Sequence, residues 1–341
     1  MEAPIHFKPA FLFPGQGSQY VGMGRDLYER FPAARAVLEE ADAALGFALS
    51  QLIFEGPEDI LKLTEHTQPA ILTVSLAAAR VLAEQSIAPS LAAGHSLGEY
   101  SAHVAAGTLT FADAVRAVRL RGRYMQRAVP PGEGAMAAIL GLDPALIAII
   151  CDQVSDQVTP LPKTPEAATF NPSLAVVSPA NLNSPTQTVI SGATLAVERA
   201  AALCKEAGAK RTVMLPVSAP FHCALMQPAQ DRLAADLAAL TFHDPAIPVA
   251  ANVSATFVTT GDAARETLIA QVTGAVRWVE CIQLLASTGA THFIEVGPGR
   301  VLTSLLKQIL GKDSTIPTLN VEDSASLEKT LAALTTGKIE S

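Results

Sequence analysis

The sequence predicts an α/β fold in two parts, and three observations predict it. Strand-like and helix-like stretches alternate along most of the chain, a β-α-β-β-α-β succession occupies about 131–213, and 341 residues exceed what one small core organises. Half of the residues are hydrophobic (49%) and 16% are charged, a composition of compact, well-buried proteins. The net charge of −8 comes from 24 basic and 32 acidic side chains with no basic stripe, which excludes a nucleic-acid partner. Cys151, Cys204, Cys223 and Cys281 stand singly, without zinc-ligand spacing, and fit a reducing cytoplasm. The opening "MEAPIHFKPAFLFPGQG" reads neither as a signal peptide nor as a transit peptide. The apolar "AMAAILGLDPALIAIIC" is interrupted at Asp143-Pro144 and is too short to span a membrane. A soluble, cytoplasmic protein without a metal is expected.

The elements follow in order. "AFLFPGQG" reads as a buried strand over 10–13 that ends in a Pro-Gly turn. "GRDLYERFPAARAVLEEADAAL" and "TQPAILTVSLAAARVLAEQ" carry helical spacing. "PSLAAGHS" reads as a strand entering a glycine turn, and "LGEYSAHVAAG" as a helix closed by Gly107. After the Pro-Pro-Gly turn near 130 comes the insert, roughly 131–213, with a ferredoxin-like order of elements. "KRTVMLPVSAPF" supplies its closing strand, and "SDQVTPLPKTPEAATFNPS" an exposed loop within it. Residues 1–130 and 214–341 then make the larger part. Helical patterns return from 222 and end in "THFIEVGPGRVLTSLLKQIL", a strand, a Gly-Pro-Gly turn and a helix, before a frayed tail "TTGKIES".

Chemistry concentrates at Gly94-His95-Ser96-Leu97-Gly98, a G-x-S-x-G pattern in strand-turn-helix context. Its glycines allow a sharp elbow, which exposes Ser96 beside a helix N-terminus able to offer an N–H to an oxyanion. A serine hydroxyl still needs a base. His95 points away from its neighbour, and His103 lies about two helical turns, or ~10 Å, further on. His6, His66, His103 and His243 read as packed or solvated. His222, in "LPVSAPFHCALM" at a strand end, ranks ahead of His292 in "GATHFIEVG", and both remain open. "FPGQGSQYVGMG" lacks G-x-G-x-x-G spacing, because Tyr20 stands at the third position, and reads as a turn whose backbone N–H near Gln16 is a second oxyanion donor. Arg116, Arg119, Arg121, Arg123 and Arg127 share one helix and point in several directions, so at least one faces inward as a clamp for a substrate carboxylate.

Taken together, "FPGQGSQ", "TQPAILTVS", "GHSLGE", "RGRYMQ", "GAMAAILG", "NSPTQTVISG", "VSAPFHCALM" and "EVGPG" strongly resemble the malonyl-CoA:acyl carrier protein transacylases of fatty acid and polyketide synthesis. The resemblance runs from about 10 to 310. It implies an α/β-hydrolase-like larger part with a parallel sheet, and an S-malonyltransferase that uses no cofactor. Its substrates would be malonyl-CoA and acyl carrier protein, and its expected state is a monomer. Position by position, it makes Ser96 the acylated nucleophile, His222 the base and later acid, and Arg121 the partner of the malonyl carboxylate. Gln16 and Leu97 supply the oxyanion N–H groups, and the main-chain carbonyl of Gln271 orients the histidine in place of an aspartate.

Two departures stand out. Phe221 occupies a position where bacterial members often have serine, and its ring should crowd the substrate α-carbon and favour malonyl over methylmalonyl. The loop near 155–175 is longer than usual in the family. Two other readings compete. One is a hydrolase working through Ser96 and His292, although "PGQGSQ" replaces the oxyanion segment of esterases. The other is a carrier-protein docking module with Lys205, Lys210 and Arg211 as its basic patch.

Overall fold

The computed structural model describes residues 7–157, 176–217 and 219–336. His6, most of the 155–175 loop and the tail from 337 onward lie outside the described residues. β1 (Pro9–Phe13) is buried at every position, as a central parallel strand covered on both faces requires. The helical stretch that follows splits into α1 (Arg25–Arg30) and α2 (Pro32–Leu45), because Pro32 holds Phe31 in extended backbone. α3 (Leu49–Glu55) and α4 (Glu58–Leu61), too short for a periodic signal, lead to α5 (Thr64–Glu84). β2 (Leu91–Gly94), α6 (Gly98–Ala105) and α7 (Phe111–Arg127) follow.

β3 (Gly134–Leu140), α8 (Pro144–Gln157), β4 (Val177–Ser184), β5 (Gln187–Ala193), α9 (Thr194–Glu206) and β6 (Arg211–Met214) supply the expected β-α-β-β-α-β. Two boundaries differ from expectation. Ser155–Gln157 continue α8 instead of opening the loop, and β6 stops at Met214, with Pro216 and Pro220 unable to donate to a ladder. The rest comprises α10 (Gln227–Ala238), β7 (Val249–Ala250), β8 (Phe257–Val258), α11 (Gly261–Ala270) and α12 (Trp278–Ser287), then β9 (His292–Val296), α13 (Val301–Ile309), β10 (Thr318–Val321) and α14 (Ser324–Thr336).

The large sheet has the order β10-β9-β1-β2-β7-β8, parallel except for β8. Register decides which residues share an edge: Phe13 lies opposite Gly94 at the C-terminal edge, and Pro9 lies opposite His292 at the other. The small sheet is antiparallel, in the ferredoxin-like order β4-β5-β3-β6. Alternation along β3 sends Ala135, Ala137 and Ile139 under α8 and α9, and Met136 and Ala138 toward the larger core. β4 also grips the larger part, since the Leu182 N–H donates to the Val276 carbonyl at 2.9 Å and the Val276 N–H to the Ala180 carbonyl at 2.8 Å.

Candidate active site

The elbow exists because its glycines permit contacts that no side chain could. A Cβ on Gly94 would lie 1.8 Å from the Gly98 carbonyl carbon, and one on Gly98 would lie 2.0 Å from the Phe13 oxygen. Between them Ser96 adopts φ 51°, the left-handed region that costs a non-glycine residue strain. Asn252, just beyond β7, holds that turn from behind: its Oδ1 accepts the Ser96 N–H at 2.7 Å and its Nδ2 donates to the Gly94 carbonyl at 2.8 Å.

His222 enters from the loop after β6, also with positive φ (61°), and its Nε2 lies 2.7 Å from Ser96 Oγ. Its Nδ1 faces the main-chain oxygens of Gln271 at 2.9 Å and Gly274 at 3.2 Å. Carbonyl oxygens only accept, so Nδ1 carries the proton and a bare Nε2 accepts the Ser96 hydroxyl. Burial, joined by the Arg121 charge, pulls the His222 pKa down to about 3, and the ring is therefore neutral at physiological pH.

Arg121 reaches the same hydroxyl from another side. The stripe Phe111, Ala114, Val115, Val118, Gly122 and Met125 defines the buried face of α7, and Arg121 lies on it. A Cβ on Gly122 would stand 2.5 Å from the Thr64 oxygen, so α7 packs directly on the backbone of α5 and brings Arg121 to Gln68. Nη1 donates to Gln68 Oε1 at 2.8 Å, and Nη2 donates to Gln271 Oε1 at 2.9 Å and Ser96 Oγ at 3.2 Å. Arg116 and Arg127 are exposed, and Arg119 and Arg123 half-buried. Burial lowers the Arg121 pKa while Tyr100 and Glu99 oppose it, and a guanidinium stays charged.

A cleft of about 120 Å³ opens over these groups, lined by Met125, Met136, Asn181, Leu215, Val217 and Phe221 among others. Gln16 and Leu97 also line it, and neither backbone N–H has a partner among the described residues. The other histidines lie elsewhere. His95 turns its Nε2 to Asn183 Oδ1 at 2.8 Å and packs edge-on against Trp278. His103 is fully buried, His243 exposed, and His66 packs against Phe47. His292 begins β9 at the edge of the sheet opposite Ser96, which removes it as a base. Lys205, Lys210 and Arg211 are exposed around the α9–β6 turn, where Lys205 Nζ donates to the carbonyls of Ala209 and Lys210.

Three site residues escape the sequence reasoning: Gln68, Asn252 and Glu99. Each acts through a buried side-chain hydrogen bond to a residue distant in sequence, which spacing does not encode. Only Glu99 carries a local signal, a carboxylate directly after the elbow glycine in a largely apolar helix. Among the described residues, no group of three or more His, Cys, Asp or Glu could hold a metal ion, and no helix is long and apolar enough to cross a membrane.

The chain is similar to known proteins along most of its length. The acyl transferase domain family matches residues 10–335. The malonyl CoA-acyl carrier protein transacylase of Escherichia coli (strain K12) is 50% identical over 302 residues, 88% of this chain and 92% of that protein. Its Bacillus subtilis (strain 168) counterpart is 46% identical over 327 residues, 96% of this chain and 97% of that one. Among solved structures, an acyl carrier protein S-malonyltransferase from Vibrio cholerae superposes with TM-score 0.86 at 46% identity, covering 95% of this chain and 99% of the other. A malonyl-transacylase in complex with a type II polyketide synthase acyl-carrier protein gives TM-score 0.87 at 45% identity, covering 96% and 99%. With a match across nearly its whole length, the chain belongs to the acyl transferase domain family.

Proposed function

We propose that this protein moves the malonyl group from malonyl-CoA to the phosphopantetheine thiol of acyl carrier protein through a malonyl-Ser96 ester. The observation that carries this reading is Arg121: a buried cation, 3.2 Å from the nucleophilic oxygen, whose hydrogen bonds all go to neutral oxygens. Such a charge in an acyl cleft favours an acyl group that brings its own carboxylate. The names of the similar proteins support the same donor and acceptor.

In the first half-reaction His222 Nε2 takes the Ser96 proton as Oγ attacks the thioester carbonyl. The unpartnered N–H groups of Gln16 and Leu97 hold the developing oxyanion. Collapse expels the coenzyme A thiolate, which takes the proton from His222. In the second, the carrier thiol gives its proton to His222, its sulfur attacks the ester, and Ser96 leaves with that proton. The Gln271 carbonyl supports the imidazolium at Nδ1 in both transitions, and no further cofactor is needed to balance them. Phe221 restricts space at the malonyl α-carbon.

All of these groups come from one chain, consistent with a working monomer, and four free, buried cysteines fit a cytoplasmic setting. Residues 1–130 with 214–341 form the catalytic part in this reading, and 131–213 the smaller one. Intact-mass analysis after separate incubation with malonyl-CoA, acetyl-CoA and methylmalonyl-CoA tests the proposal. A single malonyl adduct, lost in Ser96→Ala and discharged by carrier protein, is expected; rapid release of free malonate independent of carrier protein would overturn it.

A further inference from the structure

Glu99 is fully buried in the first turn of α6, yet its carboxylate does not cap that helix. Its Oε2 instead accepts the Gln271 Nε2–H at 2.6 Å and the Asn252 N–H at 3.0 Å, and Oε1 has no partner. A buried carboxylate is costly unless its hydrogen bonds serve something. Both of its partners bear directly on the reacting groups.

The Gln271 side chain can sit in only one orientation. Arg121 donates and never accepts, so the atom facing Nη2 at 2.9 Å is the amide oxygen. At the other end Nε2 meets only acceptors: Glu99 Oε2, the Ser96 carbonyl at 2.9 Å and Asn252 Oδ1 at 3.2 Å. A flipped amide would set its oxygen against all three and its NH2 against the guanidinium. The Glu99 contact is the shortest of the three at 2.6 Å, and Oε2 accepts it in either protonation state of a carboxyl whose pKa burial raises to about 7. Asn252, whose own N–H is held by Glu99, meanwhile fixes the Ser96 N–H.

We propose that Glu99 is a positioning residue: it locks the Gln271 amide, and through that amide holds the Arg121 guanidinium and the strained Ser96 turn in the acyl-accepting geometry. The inference rests on Ser96 being the acylated residue. It assigns Gln271 two separable duties, its main-chain oxygen serving His222 and its side chain, under Glu99, serving Arg121 and Ser96.

The test is a cycle of Glu99→Met, Gln271→Leu and the double variant, read as the rate of malonyl adduct formation on Ser96 by quenched intact mass, with folding checked by thermal melting. Glu99→Met is expected to slow loading roughly tenfold to a hundredfold, as displaced catalytic groups do. The double variant should be no slower than Gln271→Leu alone, because the two act as one unit. Glu99→Gln, which keeps an accepting oxygen, should recover at least about tenfold of the loss, a rescue that helix packing alone does not predict. Should Glu99→Met fail to fold, Glu99→Asp enters the same cycle, since it keeps the carboxyl group but withdraws it from Gln271. Losses that multiply in the double variant, or no slowing in the single one, overturn the inference. A wild-type protein that forms no malonyl-Ser96 adduct overturns the functional reading instead.

Discussion

Arg121 Nη2 donates to Ser96 Oγ across 3.2 Å, so the cation and the nucleophile touch before any substrate arrives. A serine oxygen can accept that bond while giving its own proton to His222, and the three groups are compatible at rest. A malonyl carboxylate must therefore compete with neutral oxygens for the guanidinium, which a full negative charge does readily. Arg121→Ala is expected to slow malonyl loading about a hundredfold to a thousandfold while sparing or improving acetyl loading. Adduct formation rates with the two thioesters measure this, and unchanged malonyl selectivity would remove Arg121 from the clamp.

The pH profile of loading should reflect a histidine that resists protonation. Burial first, and the Arg121 charge second, lower the His222 pKa from 6.5 to about 3, so the base stays neutral as pH falls through 6.5. The acid limb of kcat/KM for acyl loading should accordingly lie well below 6.5. With acetyl-CoA as donor, Arg121→Ala should shift the limb upward, because the repelling cation is gone. A limb near 6.5 in the wild type would mean that His222 is solvated or is not the base.

Phe221 lines the cleft beside His222 and is 9% exposed. Phe221→Ser should open room at the acyl α-carbon and raise methylmalonyl loading relative to malonyl by about tenfold, the order one methyl-sized contact commands. Competition between the two thioesters, read by mass, measures the ratio; no change would show that the ring does not face the α-carbon.

His103 offers a test of stability away from the chemistry. It is fully buried, and burial lowers its pKa from 6.5 to about 3. The unfolded chain thus takes up a proton that the folded one refuses: this contribution is whole above 6.5 and erodes as pH falls toward 3. Relative to wild type, His103→Gln should gain about 1.4 kcal/mol per pH unit below that point. Denaturant unfolding of both proteins from pH 7 to pH 4 should show the two stabilities converging on acidification; a constant difference would contradict a buried neutral ring.

Much of this site can be read from the chain before any coordinates. The G-x-S-x-G elbow is local: strand, glycine turn and helix N-terminus are written in consecutive residues, and so is Ser96. Arg121 is legible as one inward arginine among five, and the apolar stripe from Phe111 to Met125 fixes which one. His222 lies 126 positions from Ser96, and residue logic alone leaves His292 in play. Strand register separates the two histidines, and register is a tertiary fact. Gln68, Asn252 and Glu99 stay hidden because a buried side-chain hydrogen bond leaves no periodic trace. β7 and β8 escape for a different reason, being two residues each, while β10 and α14 follow a long helical run with no strong signal of their own.

The alternation along β3 makes that strand a page written on both sides. Its odd residues hold the small sheet to its helices, and Met136, one residue over, looks into the cleft. A side-chain change at Met136 therefore meets the cleft from the face of β3 opposite the residues that pack under the small sheet's helices.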